Sequence, residues 1–248
     1  MQKSGCIFCF GTADRRSVEH ILPESLGGKE WACLPKGIVC SKCNNYFGTK
    51  VEPTALASFP FLPFRLFLNL PTKKNRAPTM PSRLGLLRAA GVPGLFGLDP
   101  ENADIENLIA DGKCSQFITT AEVDAPESVC RLLLKMGLEV VANDNPQDAR
   151  LSKFDSARKA ASAPAVGSTW WFVMQTNHQQ LFEKFRRGVA TREWLDHVQL
   201  GVVEEEGAEL FRCELLDLIF IVPLEDRILP PAMNDLPEPD YRLITAHF

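Results

Sequence analysis

The sequence predicts an α+β protein in two parts, a small N-terminal module tied by paired cysteines and a larger mixed α+β domain behind it. Three observations predict this. Four of the eight cysteines fall in two C-x2-C pairs, Cys6/Cys9 and Cys40/Cys43. Charge is uneven: residues 1–94 carry 13 Lys+Arg against 5 Asp+Glu, net +8, and the remainder carries 14 against 26, net −12. Beyond residue 95, segments of helical and strand periodicity follow one another between turn residues. The divisions are residues 1–58 for the module, 59–94 for a basic, Pro-rich bridge and 95–248 for the α+β domain.

A chain of 248 residues suits one large domain or two modest ones. Its apolar fraction of 45% is that of an ordinary soluble protein. No apolar run approaches the ~20 residues of a membrane span. "MQKSGCIFCF" lacks the apolar core of a secretory signal, so the expected location is cytoplasmic. Without such a signal, the cysteines read as metal ligands and buried thiols rather than disulfides.

The elements follow in order. "NNYFGTKVEPTALASF" opens as a helix interrupted by Gly48 and Pro53. "FPFLPFRLFLNLPTKKNRAPTMPSR" is aromatic, then basic, and its prolines argue against one long helix. The turn-rich "GVPGLFGLDP" marks the boundary. "ENADIENLIADG" predicts a short helix closed by Gly112, and "CSQFITTAEV" a strand. "PESVCRLLLKMGLEVVAN" predicts a helix with Val129, Leu132, Leu133, Met136 and Val140 on one face. "NPQDARLSKFDSARKAAS" predicts a second helix with Pro146 near its start. "TWWFVMQT" predicts a strand, and "EWLDHVQLGVVEEEGAELFRCELLDLIFIVPL" two long strands around "EEEGAE". No repeat, low-complexity tract or chemical motif stands out in this part.

The paired cysteines carry the first chemistry. Two residues between cysteines let a tight turn aim both thiolates at one ion, and two such knuckles complete the tetrahedron that suits structural Zn²⁺. The 30 residues between the pairs exceed the spacing of a compact zinc ribbon, so something is inserted between the knuckles. Cys33 lacks a close partner and is expected to be buried; Cys114, Cys130 and Cys213 sit in apolar segments and are expected in the core. A closed four-cysteine site has no open coordination position, so any catalysis comes from groups that the zinc holds in place.

Those groups are Glu19, His20 and Asn44. Glu19 and His20 lie in the insertion, in "SVEHILPESLGG", and Asn44 follows the last cysteine directly. A carboxylate and an amide oxygen are hard ligands suited to Mg²⁺ or Mn²⁺. A histidine, which ordinarily titrates near neutrality, can deprotonate water. Neighbours on a regular strand face opposite ways, so Glu19 and His20 share a centre only if the strand ends there. The following Pro, Gly27 and Gly28 supply an irregular loop, with the glycines serving backbone conformation rather than phosphate binding.

At these residues the sequence resembles the HNH endonucleases of the ββα-metal (His-Me finger) fold, in their zinc-knuckle subgroup. The resemblance rests on "EHILPESLGG" and "CSKCNNYFG" and covers residues 5 to about 52. It implies His20 as general base, Glu19 and Asn44 as ligands of a catalytic divalent ion, and Cys6, Cys9, Cys40 and Cys43 as the structural Zn²⁺ site. There are departures from the pattern. Glu19 stands where Asp is commoner, Asn44 where His is frequent, Asn45 competes with Asn44, and no residue is identified to orient His20.

The function expected is metal-dependent hydrolysis of phosphodiester bonds, with DNA as substrate and RNA left open. The alternative is a non-catalytic zinc module that binds nucleic acid or protein. The positive balance of residues 1–94 suits a polyanion, and Lys73, Lys74 and Arg76 in "TKKNR" are the densest basic group after the module. A homodimer is compatible with the sequence but not indicated by it. Trp170 and Trp171 are assigned to core or interface, and His178, His197 and His247 receive no role.

Overall fold

The computed structural model describes residues 5–12, 18–72, 75–113, 122–176, 198–205, 207–216, 218–231 and 241–248. The chain first forms a minimal antiparallel pair, β1 (Glu19–His20) against β2 (Cys33–Leu34). A helical run follows: α1 (Ser41–Tyr46), a π-helical segment (Phe47–Val51) and α2 (Glu52–Ala57). The Cys40 sulfur caps α1 by accepting the Cys43 N–H at 3.5 Å. Pro53 stands in the first turn of α2, where its missing N–H leaves no bond unmade. The interruption expected at Gly48 is therefore a π-bulge inside a continuous run.

The segment expected to be a bridge has structure of its own. It contains α3 (Phe61–Phe67) and a three-stranded antiparallel sheet of β3 (Thr79–Ser82), β4 (Gly85–Ala89) and β5 (Phe96–Pro100). β5 pairs with β4 from Ala89–Phe96 to Gly85–Pro100, so the sheet spans the division drawn at residues 94/95. Only residues 90–95 act as the turn. Next, α4 (Ala103–Ala110) matches its expectation: the Asn102 side chain accepts from Ile105 N–H at 3.1 Å, and Gly112 follows at φ 64. Of the strand expected at residues 114–123, residues 114–121, with Cys114 among them, lie outside the described residues, as do His178 and His197, and residues 122–123 are not in a strand.

The centre of the structure is α5 (Pro126–Asp144). The expected apolar face is buried, but so is the opposite one: every residue from Val129 to Ala142 except Arg131 is buried. The reason is that α5 is packed on both sides. One side meets α2, the π-helical segment, β2 and α6 (Asp155–Ser162); the other meets a five-stranded antiparallel sheet. That sheet has the order β10-β6-β9-β8-β7, from β6 (Thr169–Thr176), β7 (Val198–Glu205), β8 (Ala208–Leu215), β9 (Leu218–Pro223) and β10 (Tyr241–His247). A Cβ on Gly137 would lie 2.7 Å from both Phe211 Cβ and Leu224 Cδ2, so glycine lets the helix settle onto the sheet.

Three details differ from expectation. The second long strand divides into β8 and β9, because Leu216 takes a left-handed φ of 58 and reverses the chain. β10 closes the edge beside β6. The second helix begins only at Asp155, after 3-10 turns at Asp148–Arg150 and Ser152–Phe154. The first of these turns and α6 each aim an arginine back at the first knuckle: Arg150 Nε donates to the Gly5 carbonyl at 3.0 Å and Arg158 Nε to the Ile7 carbonyl at 2.6 Å. One connected apolar core runs from Cys6, Leu22 and Phe47 through Leu132 and Met136 to Phe172, Phe211 and Phe220. Cys130 and Cys213 lie in it as expected. The Trp170 and Trp171 indoles donate to the Pro223 and Ile228 carbonyls, each at 3.1 Å. Among the described residues, no helix is long and apolar enough to cross a membrane.

Candidate functional site

Two chain turns bring the four paired cysteines together. In the first, Phe10 N–H donates to the Cys6 carbonyl and Cys6 N–H to the Gly11 carbonyl, each at 2.9 Å. The second is the start of α1. Ile7 N–H donates to the Ile38 carbonyl at 3.1 Å and joins the two. All four sulfurs lie within 4.8 Å of one another, with Cys9 and Cys40 at 3.7 Å. A zinc tetrahedron with ~2.3 Å Zn–S bonds has sulfurs about 3.8 Å apart, so the four could hold a zinc ion. The Cys43 thiol donates to Cys6, and this pulls the Cys6 thiol down to about 4 despite burial; the same contact pushes Cys43 up. An anionic sulfur is the form that binds metal.

β1 leaves this cluster carrying Glu19 and His20. Glu19 is buried at 6% exposure and His20 is half-buried. The strand ends at His20, and Pro23 and a 3-10 turn (Glu24–Leu26) bend the chain back. Gly27 closes that turn at φ 86, and a Cβ on Gly28 would fall 1.7 Å from the Leu22 carbonyl oxygen. Both glycines are thus demanded by backbone shape. Val18, Glu19, His20, Pro23, Glu24, Asn44 and Glu52 line one cleft of about 180 Å³. Two neighbours on a strand meet there because the strand is only two residues long.

The structure therefore brings the three expected residues together. Asn44 donates its amide Nδ2 to the Val18 carbonyl at 2.9 Å, which leaves its amide oxygen as the free ligand atom. Asn45 is exposed and is not among the lining residues. Glu19 Oε1 lies 2.7 Å from Lys135 Nζ, while Glu19 Oε2 is buried with no hydrogen-bond partner. An orphaned carboxylate oxygen and an amide oxygen on residues that line one cleft suit a hard divalent ion. The residues thus suit the catalytic metal expected from the sequence.

Several neighbours were not foreseen. Cys33 was expected to be buried but is half-exposed, because its register in β2 sets it directly opposite His20, with Sγ 3.5 Å from Nδ1. Glu24 Oε1 lies 3.4 Å from His20 Nε2. These two groups flank the imidazole for which the sequence offered no orienter. Glu52 joins the cleft from the start of α2. Lys135 is fully buried and reaches Glu139 at 2.9 Å, Glu52 at 3.6 Å and the His20 carbonyl at 3.0 Å. Burial alone would lower its pKa, but Glu139, Glu19 and Glu52 together raise it, so the ammonium stays charged. Burial pushes the Glu139 carboxyl well above the usual range. The signal for this pair was the i, i+4 spacing of Lys135 and Glu139 within an apolar helix.

Of the basic group proposed for nucleic acid, Lys73 and Lys74 lie outside the described residues. Arg76 is exposed, and its N–H donates to Thr72 Oγ1 at 3.2 Å. Arg65 adds to the positive balance of the N-terminal half but is buried; it donates to the carbonyls of Leu56 at 3.0 Å and Ser25 at 3.2 Å, and so is spent inside the protein.

Residues 6–60 match the family described as HNH endonuclease, a span holding all four paired cysteines, the cleft and α2. No curated protein and no solved structure matches the chain.

Proposed function

We propose that this chain, whose residues 6–60 match the HNH endonuclease family, is a metal-dependent endonuclease that hydrolyses phosphodiester bonds in DNA. The observation that carries this reading is the convergence of Glu19, His20 and Asn44 on one cleft beside the four-cysteine cluster. A plain zinc-binding module needs none of the three.

In this reading Cys6, Cys9, Cys40 and Cys43 hold a structural Zn²⁺ and fix β1 against α1. Glu19, through Oε2, and Asn44, through its amide oxygen, hold a catalytic Mg²⁺ or Mn²⁺. That ion, when bound, neutralises phosphate charge and stabilises the departing oxygen. His20 accepts the proton of the attacking water. Glu24 Oε1 stands 3.4 Å from His20 Nε2 and favours the proton there, which leaves Nδ1 as the basic nitrogen. Cys33 Sγ lies beside that nitrogen at 3.5 Å.

A second reading, a non-catalytic zinc module that binds nucleic acid or protein, draws on one observation: Glu19 already spends an oxygen on Lys135. The deciding experiment is incubation of the purified chain with supercoiled plasmid, with and without Mg²⁺ or Mn²⁺, beside His20→Ala. The nuclease reading expects metal-dependent nicking by the unmodified chain alone. No nicking with either metal rejects it in favour of the binding module.

A further inference from the structure

The nuclease motif ends near residue 60, yet the charged group closest to its metal-binding carboxylate comes from residue 135. Lys135 lies on the central helix α5 and is 0% exposed. Its ammonium has a full set of partners at short range: Glu19 Oε1 at 2.7 Å, Glu139 Oε2 at 2.9 Å, the His20 carbonyl at 3.0 Å and Glu52 Oε1 at 3.6 Å. It touches the side chain of one proposed functional residue and the backbone of the next.

A solvated surface lysine explains none of this. An ammonium has three donor directions, and two of them meet the two residues of β1. The pairing also accounts for the two oxygens of Glu19. One is held by Lys135; the other, Oε2, is buried without a partner. A buried carboxylate oxygen left unpaired is costly, and a cation in the cleft is what relieves it. The opposite side of α5 is seated on the five-stranded sheet through Gly137 against Phe211 and Leu224, so Lys135 cannot shift independently of the C-terminal part of the chain.

We propose that Lys135 is a positioning residue of the nuclease site: it holds Glu19 by one carboxylate oxygen and β1 by the His20 carbonyl, so that Oε2 alone is presented to the catalytic metal. The proposal rests on the nuclease reading above and extends it. The site is completed by α5, not by the zinc-tied module alone, and the module is expected to be incompetent without it.

Two consequences oppose each other in the metal affinity. Removing Lys135 frees Glu19 to move, which costs ordering entropy on metal binding. It also removes a positive charge bound to the carboxylate that would hold the divalent ion, and this repulsion is the larger effect. Metal binding therefore tightens while turnover slows, because the carboxylate and β1 are no longer held. A purely structural role predicts the reverse pattern, with metal binding and turnover weakened together.

The test uses the full chain. Lys135→Met alone leaves three carboxylates without their cation and is expected to fold poorly, so Lys135→Met/Glu139→Leu, which exchanges the pair for apolar groups of similar size, is the working variant. Mn²⁺ binding is measured by titration calorimetry and by the Mn²⁺-induced rise in Tm, which remains readable in a weakened fold. Plasmid nicking gives kcat and KM. Because this variant removes one charge of each sign, the expected result is Mn²⁺ affinity within about threefold, kcat lower by at least about tenfold, KM for DNA within about twofold and zinc content unchanged. A kcat equal to that of the unmodified chain, or Mn²⁺ affinity and kcat falling together, overturns the proposal while leaving the nuclease reading intact. An unmodified chain that neither binds Mn²⁺ nor nicks DNA overturns the nuclease reading and this proposal with it.

Discussion

Lys135 Nζ lies 2.7 Å from Glu19 Oε1 across 116 positions of sequence, and neither side chain is more than 6% exposed. This contact ties the longest helix of the described residues to the strand that carries the proposed catalytic pair. It sits in a set of one ammonium and three carboxylates, with Glu52 and Glu139 completing it. Deleting one member of a buried ionic set leaves the others unpaired in a poorly solvated place.

Lys135→Ala should therefore destabilise the whole fold by about 3–5 kcal/mol. Equilibrium urea unfolding followed by tryptophan fluorescence measures it, since Trp170 is in the same core. A loss below about 1 kcal/mol would mean that water reaches the set and screens it.

Zinc should be present at about one ion per chain, because four sulfurs within 4.8 Å of one another could hold one ion. Cys40→Ser should lose the ion and unfold the first knuckle and α1, since Cys40 is the helix cap as well as a proposed ligand. Elemental analysis with circular dichroism gives the outcome. A zinc-free chain with unchanged helix content contradicts it.

His20→Ala should reduce cleavage by roughly 10²–10⁴ while leaving DNA affinity nearly intact, because a general base acts in the transition state more than in binding. Single-turnover rates and fluorescence anisotropy separate the two. Undiminished cleavage removes His20 from the mechanism.

How much of this was legible in the sequence differs by region. The four cysteines, Glu19, His20 and Asn44 could be placed together because zinc-ligand spacing is a local rule and Asn44 adjoins a ligand. Lys135 and Glu139 could not be assigned to that site, because the periodicity of α5 reports which residues are apolar and not how many sides of the helix are covered. The same limit hid Cys33, whose place beside His20 depends on the register of a pair only two residues long. β8 and β9 merged into one strand because the turn between them, at Leu216, contains no Gly or Pro. The sheet of β3, β4 and β5 was missed for the opposite reason: its prolines and glycines mark turns and also occupy strand positions.

Asn44→Ala should weaken the Mg²⁺ or Mn²⁺ response without displacing zinc, because the two metals use different ligand chemistry. Asn45→Ala should be nearly silent, since Asn45 is exposed and is not among the residues lining the cleft. Rates measured across a Mn²⁺ titration, with zinc content alongside, decide between them. The reverse pattern moves the ligand one position along α1.

The last prediction concerns how a chain of net charge −4 holds a polyanion. The excess of +8 lies in residues 1–94, but part of it is internal: Arg65 is buried and bonded to backbone carbonyls. Contacts to phosphate must come from exposed groups, and Lys73, Lys74 and Arg76 are the proposed ones. Each lost phosphate contact flattens the plot of log affinity against log salt by roughly 0.9 for duplex DNA. Replacing all three with Ala should therefore reduce the slope by up to about 2.7. Binding should weaken alike for every sequence, because phosphate contacts carry no base information. Turnover of bound substrate should hardly change, since phosphate contacts position the duplex and do not carry the chemistry. The measurement is a salt titration of DNA binding by the His20→Ala chain with and without the triple replacement. An unchanged slope would assign "TKKNR" to solvent, and the phosphate contacts would then have to come from the exposed lysines of the module itself, Lys29, Lys36, Lys42 and Lys50.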